Sequence, residues 1–214
     1  KSEIGALKNK KKPLIVIDEV QRVPQIMDCV QDLIDSQTAQ FILTGSSARK
    51  LKRHVDINLL PGRIVTLRLD AFSLFELGTD VNIEELLNYG SLPGIFLESD
   101  HDDKEEELRS YVETYLEEEV RREALVKNLG PFSRFLELAA LEAGQIINLS
   151  SIASEIGVDK NTVSSYFEIL FDCLISERIE PLTKSVTRKK LSKSYRQLFF
   201  DLGVRRLAAG QGIV

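Results

Sequence analysis

The string "LIVIDE", residues 14 to 19, constrains this chain more than any other, because four consecutive aliphatic side chains run directly into two carboxylates. Such a run suits a strand buried on both faces, as in a parallel sheet covered by helices. Asp18 and Glu19 then sit where the strand ends, the edge at which open α/β sheets bind ligands. There one acid can hold magnesium through water, and the next can orient or deprotonate a water attacking a terminal phosphate. The pattern therefore nominates Asp18 as the metal-holding acid and Glu19 as the base. A purely structural alternative is that both acids cap the helix that follows.

The next segments keep the rhythm. "QIMDCVQDLID" places Ile26, Cys29, Val30, Leu33 and Ile34 at helical spacing. "QFILTGSS" predicts a second short buried strand, Phe41 to Leu43. Its end offers hydroxyls at the same sheet edge, so Thr44, Ser46 and Ser47 are candidates for sensing a γ-phosphate or positioning water. "ARKLKRHVDINLLPGR" reads as a basic helix or loop closing at Pro61-Gly62, with Arg49 a weaker sensing candidate. Arg63 stands just before a predicted third strand, "IVTLRLDAF". A guanidinium there can stabilise transition-state charge in a neighbouring subunit's site. Strand, helix, strand, helix, strand is the order of a parallel α/β layer.

From "SLFELG" onward the patterns are helical. "DHDDKEEELRSYVETYLEEEVRREALV" predicts a long acidic helix with Leu108, Tyr111, Val112, Tyr115, Leu116 and Val120 on its apolar stripe. "GPFSRFLELAALEAG" predicts an amphipathic helix with Phe132, Phe135, Leu136 and Ala139 on one face. In "NLSSIASEIGVDKNTVSSYFEILFDCLI" a helix stops at Gly157, placed for a left-handed cap. Asp159 or Asn161 can cap the next helix, striped by Val163, Phe167, Leu170 and Leu174. Two helices joined by a tight glycine turn, then two predicted strands around a basic loop, read as a winged helix-turn-helix. Its second helix would offer Lys160, Asn161, Thr162, Ser164 and Ser165 to a major groove, and Arg188, Lys189 and Lys190 lie in the basic loop. DNA is thus a candidate partner of this half, with a protein or inter-domain joint as the other.

Bulk properties bound these readings. The 214 residues, 43% hydrophobic and 29% charged, can bury a real core. A formal charge of −5 argues against wholesale nucleic-acid binding while leaving room for a local basic patch. Cys29 and Cys173 fall in apolar helical patterns and read as core residues. Two histidines are too few to complete a zinc site with them. Without an apolar run near ~18 residues no span of a membrane is expected, and a cytoplasmic location is the default.

These residues also carry a resemblance. "LIVIDEVQRVPQIMDCVQDLID", "FILTGSSARKL" and "LLPGRIVTLRLDAFSLFEL" are similar to the AAA-type ATPase domain of a large prokaryotic protein family. In that family a region of unknown function containing a winged helix follows the ATPase domain. "YGSLPGIFLE", "SSIASEIGVDKNTVSSYFEIL" and "KLSKSYRQLFFDLGVRRLAAG" continue the likeness. It implies the C-terminal part of an ATPase domain over residues 1–78, a helical connector over 79–129 and a winged helix over 130–214. It makes Asp18 and Glu19 the Walker B acids, puts Thr44 to Ser47 at the sensor position and Arg63 at the arginine finger, with ATP and magnesium as cofactors and a homo-oligomer as the assembly. Two departures stand out. No G-x-x-x-x-G-K-[ST] phosphate loop occurs anywhere in the chain. The nuclease-like fold that typically follows in the family does not appear before Val214. The expectation is therefore an internal fragment that binds ATP poorly, from a parent that hydrolyses it and relays nucleotide state. The alternative is a DNA-binding or regulatory module with a degenerate ATPase half.

Overall fold

The computed structural model describes residues 12–45, 64–116, 129–182 and 195–213. The chain divides into two compact units, residues 1–68 and 69–214.

In the first unit β1 (Leu14–Ile17) pairs in parallel with β2 (Gln40–Leu43), Leu14 opposite Gln40 and Ile17 opposite Leu43. A 3₁₀ turn at Val20–Arg22 and helix α1 (Ile26–Asp35) connect them. Successive strand side chains point to opposite faces. Ile17 and Leu43 pack with Ile26, Ile34 and the buried Val20 and Met27. The other face keeps Leu14, Val16 and Ile42 at 58%, 62% and 49% exposure, so the expected burial on both sides holds on one side only. Among the described residues the predicted third strand does not form. Residues 64–70 belong to neither of the described two-stranded sheets, and Val65, Leu67 and Leu69 are 84% to 101% exposed. β-Propensity without a neighbouring strand to pack against specifies nothing.

The second unit is mostly helical. It comprises α2 (Leu74–Leu77), α3 (Ile83–Tyr89), α4 (Pro93–Leu97), α5 (His101–Ser110), α6 (Leu129–Leu141), α7 (Leu149–Ile156), α8 (Lys160–Asp172) and α9 (Leu202–Ala208). Side chains start many of these. Ser73 and Glu76 form a reciprocal capping box at α2, while Asn82, Asp100, Asn148, Asp159 and Asp201 each accept amides from the first turn of the helix that follows. The long acidic helix is α-helical to Ser110 and then winds as a π-helix over Tyr111–Leu116, with residues 117–128 outside the described ones.

One apolar cluster runs through this unit, from Tyr89 and Leu108 through Phe132, Phe135, Ile152, Phe167 and Leu170 to Val204. Phe135 meets Phe167 edge-on at 4.8 Å, a favoured geometry for aromatic pairs. Residues 79–129 thus share their core with 130–214. Two buried cations close the seam. Lys104 pairs with Glu85, and Arg206 pairs with Glu105 while also donating to the Asn88 carbonyl at 2.7 Å. Cys29 and Cys173 are half-buried thiols outside any disulfide.

Helix α7 stops at Gly157, which takes the left-handed conformation at φ 73°. Helix α8 then buries Val163, Phe167 and Leu170, but Leu174 does not extend the stripe. It lies beyond the helix end at φ 59°, and Ile175 N–H closes back onto the Leu170 carbonyl at 2.9 Å as the chain reverses. Strands β3 (Ser176–Ile179) and β4 (Arg196–Phe199) are antiparallel. Residues 144–147 lie along the far side of β4, through a bridge of Ile146 with Arg196 and a bond from Ile147 N–H to the Tyr195 carbonyl at 3.0 Å.

Candidate functional site

Asp18 and Thr44 leave the ends of adjacent parallel strands, which brings them together. The Thr44 hydroxyl donates to Asp18 Oδ1, and the Glu19 backbone N–H donates to the same hydroxyl at 3.1 Å. Two backbone bonds frame this contact: Thr44 N–H to the Ile17 carbonyl and Val20 N–H to the Thr44 carbonyl, each 3.0 Å. Glu19 sits at φ 51°, ψ 50°. A left-handed glutamate costs about 1–2 kcal/mol relative to ordinary backbone, so the surrounding bonds must hold it there. Asp18 is exposed, and with Glu19, Val20, Arg22 and Ile26 it lines a cavity of about 410 Å³.

The donor set suits a hard cation in one way only. Among the described residues no three His, Cys, Asp or Glu side chains gather into a metal-holding group. A single exposed carboxylate fits magnesium held mainly by phosphates and water, the usual manner for that ion. Ser46, Ser47, Arg49 and Arg63, the other predicted members of this rim, lie outside the described residues.

In the second unit Lys160, Asn161 and Ser164 come together with Asn148 and Ser150 around a cleft of about 600 Å³. The first turns of α7 and α8 both open on it. Ser165 is exposed on α8, whereas Thr162 is spent locally, since its hydroxyl and amide both bond to the capping Asp159. The Thr162 hydroxyl, with the Thr162 and Asn161 amides, holds the Asp159 carboxyl below its ordinary range. Toward the other end of α8, Glu168 pairs with Arg178, whose guanidinium lies 4.4 Å from the Tyr195 ring and 5.0 Å from the Phe171 ring. Burial pushes the Tyr195 phenol up. Arg188, Lys189 and Lys190, in the segment leading to Tyr195, lie outside the described residues.

A third cluster escaped the sequence reading. Asp201 is buried, accepts the Ser91 amide at 2.7 Å and the Val204 amide at 3.0 Å, and has its carboxyl pushed up by that burial. A methyl group on Gly90 would overlap the Asp201 carboxylate, and one on Gly203 would overlap the Tyr89 carbonyl. The glycines in "YGSLPG" and "DLGVRR" were the available signal: both mark a close crossing of two distant segments.

Comparisons with known proteins agree with a two-part chain. Residues 81–212 match a domain of unknown function (DUF8612), and the chain belongs to that family. Residues 1–78 match an AAA domain, an ATPase-like region. Two uncharacterized proteins, Mb2031c of Mycobacterium bovis and Rv2008c of Mycobacterium tuberculosis, are each 24% identical over 179 residues, covering 83% of this chain and 40% of their own length. The chain therefore spans about two fifths of the curated relatives it matches. No solved structure matches it. No helix among the described residues is long and apolar enough to cross a membrane.

Proposed function

We propose that this chain is part of an AAA-type ATPase that binds and hydrolyses ATP with magnesium, and that its helical unit relays nucleotide state to a partner or downstream domain. The observation that carries this reading is Asp18 at the tip of a parallel strand, held by Thr44 from the tip of its neighbour. That is the edge at which α/β sheets place ligand chemistry. In this reading Asp18 holds magnesium through water, Glu19 activates the attacking water and Arg63 completes a neighbouring subunit's site. Nucleotide affinity then depends on a phosphate loop elsewhere in the full-length product, because loop amides and lysine supply most of the grip. The order of α6, residues 144–147, α7, α8, β3 and β4 supports a winged helix as the relay.

The test is Glu19→Gln in the full-length gene product. Turnover should fall by about 10² or more, the usual contribution of a catalytic base, while ATP binding persists. Unchanged turnover removes Glu19 from this role. A second reading, a DNA-binding or regulatory module with a degenerate ATPase half, is favoured by one specific feature: the polar cleft at Lys160, Asn161 and Ser164 in the same unit as a basic segment.

A further inference from the structure

We propose that Thr44 is a positioning residue for the Asp18–Glu19 pair and not a sensor of the terminal phosphate, an inference that rests on the ATPase reading above. A threonine hydroxyl has one proton to give and lone pairs with which to accept. Here the proton goes to Asp18 Oδ1, and a lone pair takes the Glu19 amide. An ionised phosphate oxygen can only accept, so Thr44 could meet one only by abandoning Asp18. The same hydroxyl therefore sets both acids: it fixes the Asp18 carboxylate by donating and the Glu19 backbone by accepting.

The backbone makes the second half of this argument. Glu19 is left-handed at φ 51°, a conformation that L side chains rarely adopt and that clusters at functional sites when held by neighbours. Its amide is fastened to the Thr44 side chain, while the next amide, Val20, is fastened to the Thr44 carbonyl. One residue on β2's tip thus holds two consecutive amides, and only one of those bonds depends on the hydroxyl. Phosphate sensing then falls to other groups, of which the Ser46 and Ser47 hydroxyls are nearest in sequence.

Amide hydrogen exchange by NMR on the 214-residue chain separates these roles. Thr44→Val should speed exchange at Glu19 by about tenfold or more, as expected when a protecting bond is lost. The Val20 and Thr44 amides, bonded to backbone carbonyls, should stay protected and report an intact strand pair. Thr44→Ser should keep Glu19 protected. Unchanged exchange at Glu19 in Thr44→Val overturns the proposal. Wild-type full-length product provides a measurement that needs no variant to fold. If magnesium and a non-hydrolysable ATP analogue release the Glu19 amide, Thr44 has moved to the nucleotide and the proposal fails; retained protection supports it. In that product Thr44→Val should lower kcat at unchanged KM, and Thr44→Ser should restore it. Absence of any ATP hydrolysis by the wild-type product defeats the ATPase reading alone, and the exchange result on the 214-residue chain still decides what Thr44 holds.

Discussion

Gly203 stands in the first turn of α9 with the Tyr89 carbonyl where a side chain would be. Backbone cannot swing aside as a flexible side chain can, so Gly203→Ala must push α9 away from the end of α3. Overpacking of this kind costs about 1–3 kcal/mol, and the urea midpoint should fall accordingly. Gly94, in helix α4, has open space around its Cβ position. Gly94→Ala should leave the midpoint unchanged or raise it slightly, since alanine is the better helix former. Equal losses in both variants would show that the crossing is looser than its geometry. At this scale the place of the two acids just past a strand end was legible because a short aliphatic run suits a strand. The left-handed backbone of Glu19 was not, since it depends on a hydroxyl 25 residues away. Asp201 was hidden for the same reason, its amide partner Ser91 being 110 residues distant.

At the scale of elements, side-chain caps decide where helices begin, and one of them titrates usefully. Asp159 accepts the Asn161 amide at 2.8 Å and the Thr162 amide at 3.0 Å, which favours its charged form. A carboxyl lowered in the folded state stabilises that state above its unfolded value, about 3.9, and the contribution disappears as pH falls through the folded value. The first turn of α8 should therefore loosen below about pH 4, with faster exchange at Asn161 and Thr162. Asp159→Asn caps without a charge, so its first turn should show no such step in that window. An identical acid response in both forms would assign the loosening to some other group. This cap and the Gly157 stop were readable because local chemistry sets them. The "IVTLRL" strand was misread because pairing, which sequence alternation does not contain, decides whether an extended run becomes a strand.

For the molecule as a whole, the DNA reading must reconcile a net charge of −5 with a local basic segment. Only charges near the phosphates release counterions, so the global sign matters less than the patch. Lys184, Arg188, Lys189, Lys190, Lys193 and Arg196 form that patch in sequence. Arg196 donates one N–H to the Gly144 carbonyl at 2.9 Å, and the other five are the cations counted here against phosphates. The exposed α8 stripe also carries Glu168, but its charge is answered by Arg178, so that glutamate does not by itself exclude a polyanion. If all five engage, the slope of log K against log salt should be about −4.5 for duplex DNA. Replacing Arg188, Lys189 and Lys190 with glutamine in the full chain should then shallow the slope by about 3, almost equally for unrelated duplex sequences. Electrophoretic shifts at two salt concentrations measure both quantities. Absence of a shift at low salt, or a slope untouched by the triple substitution, removes DNA as the partner. The joint between domains would then be the remaining reading of the helical unit.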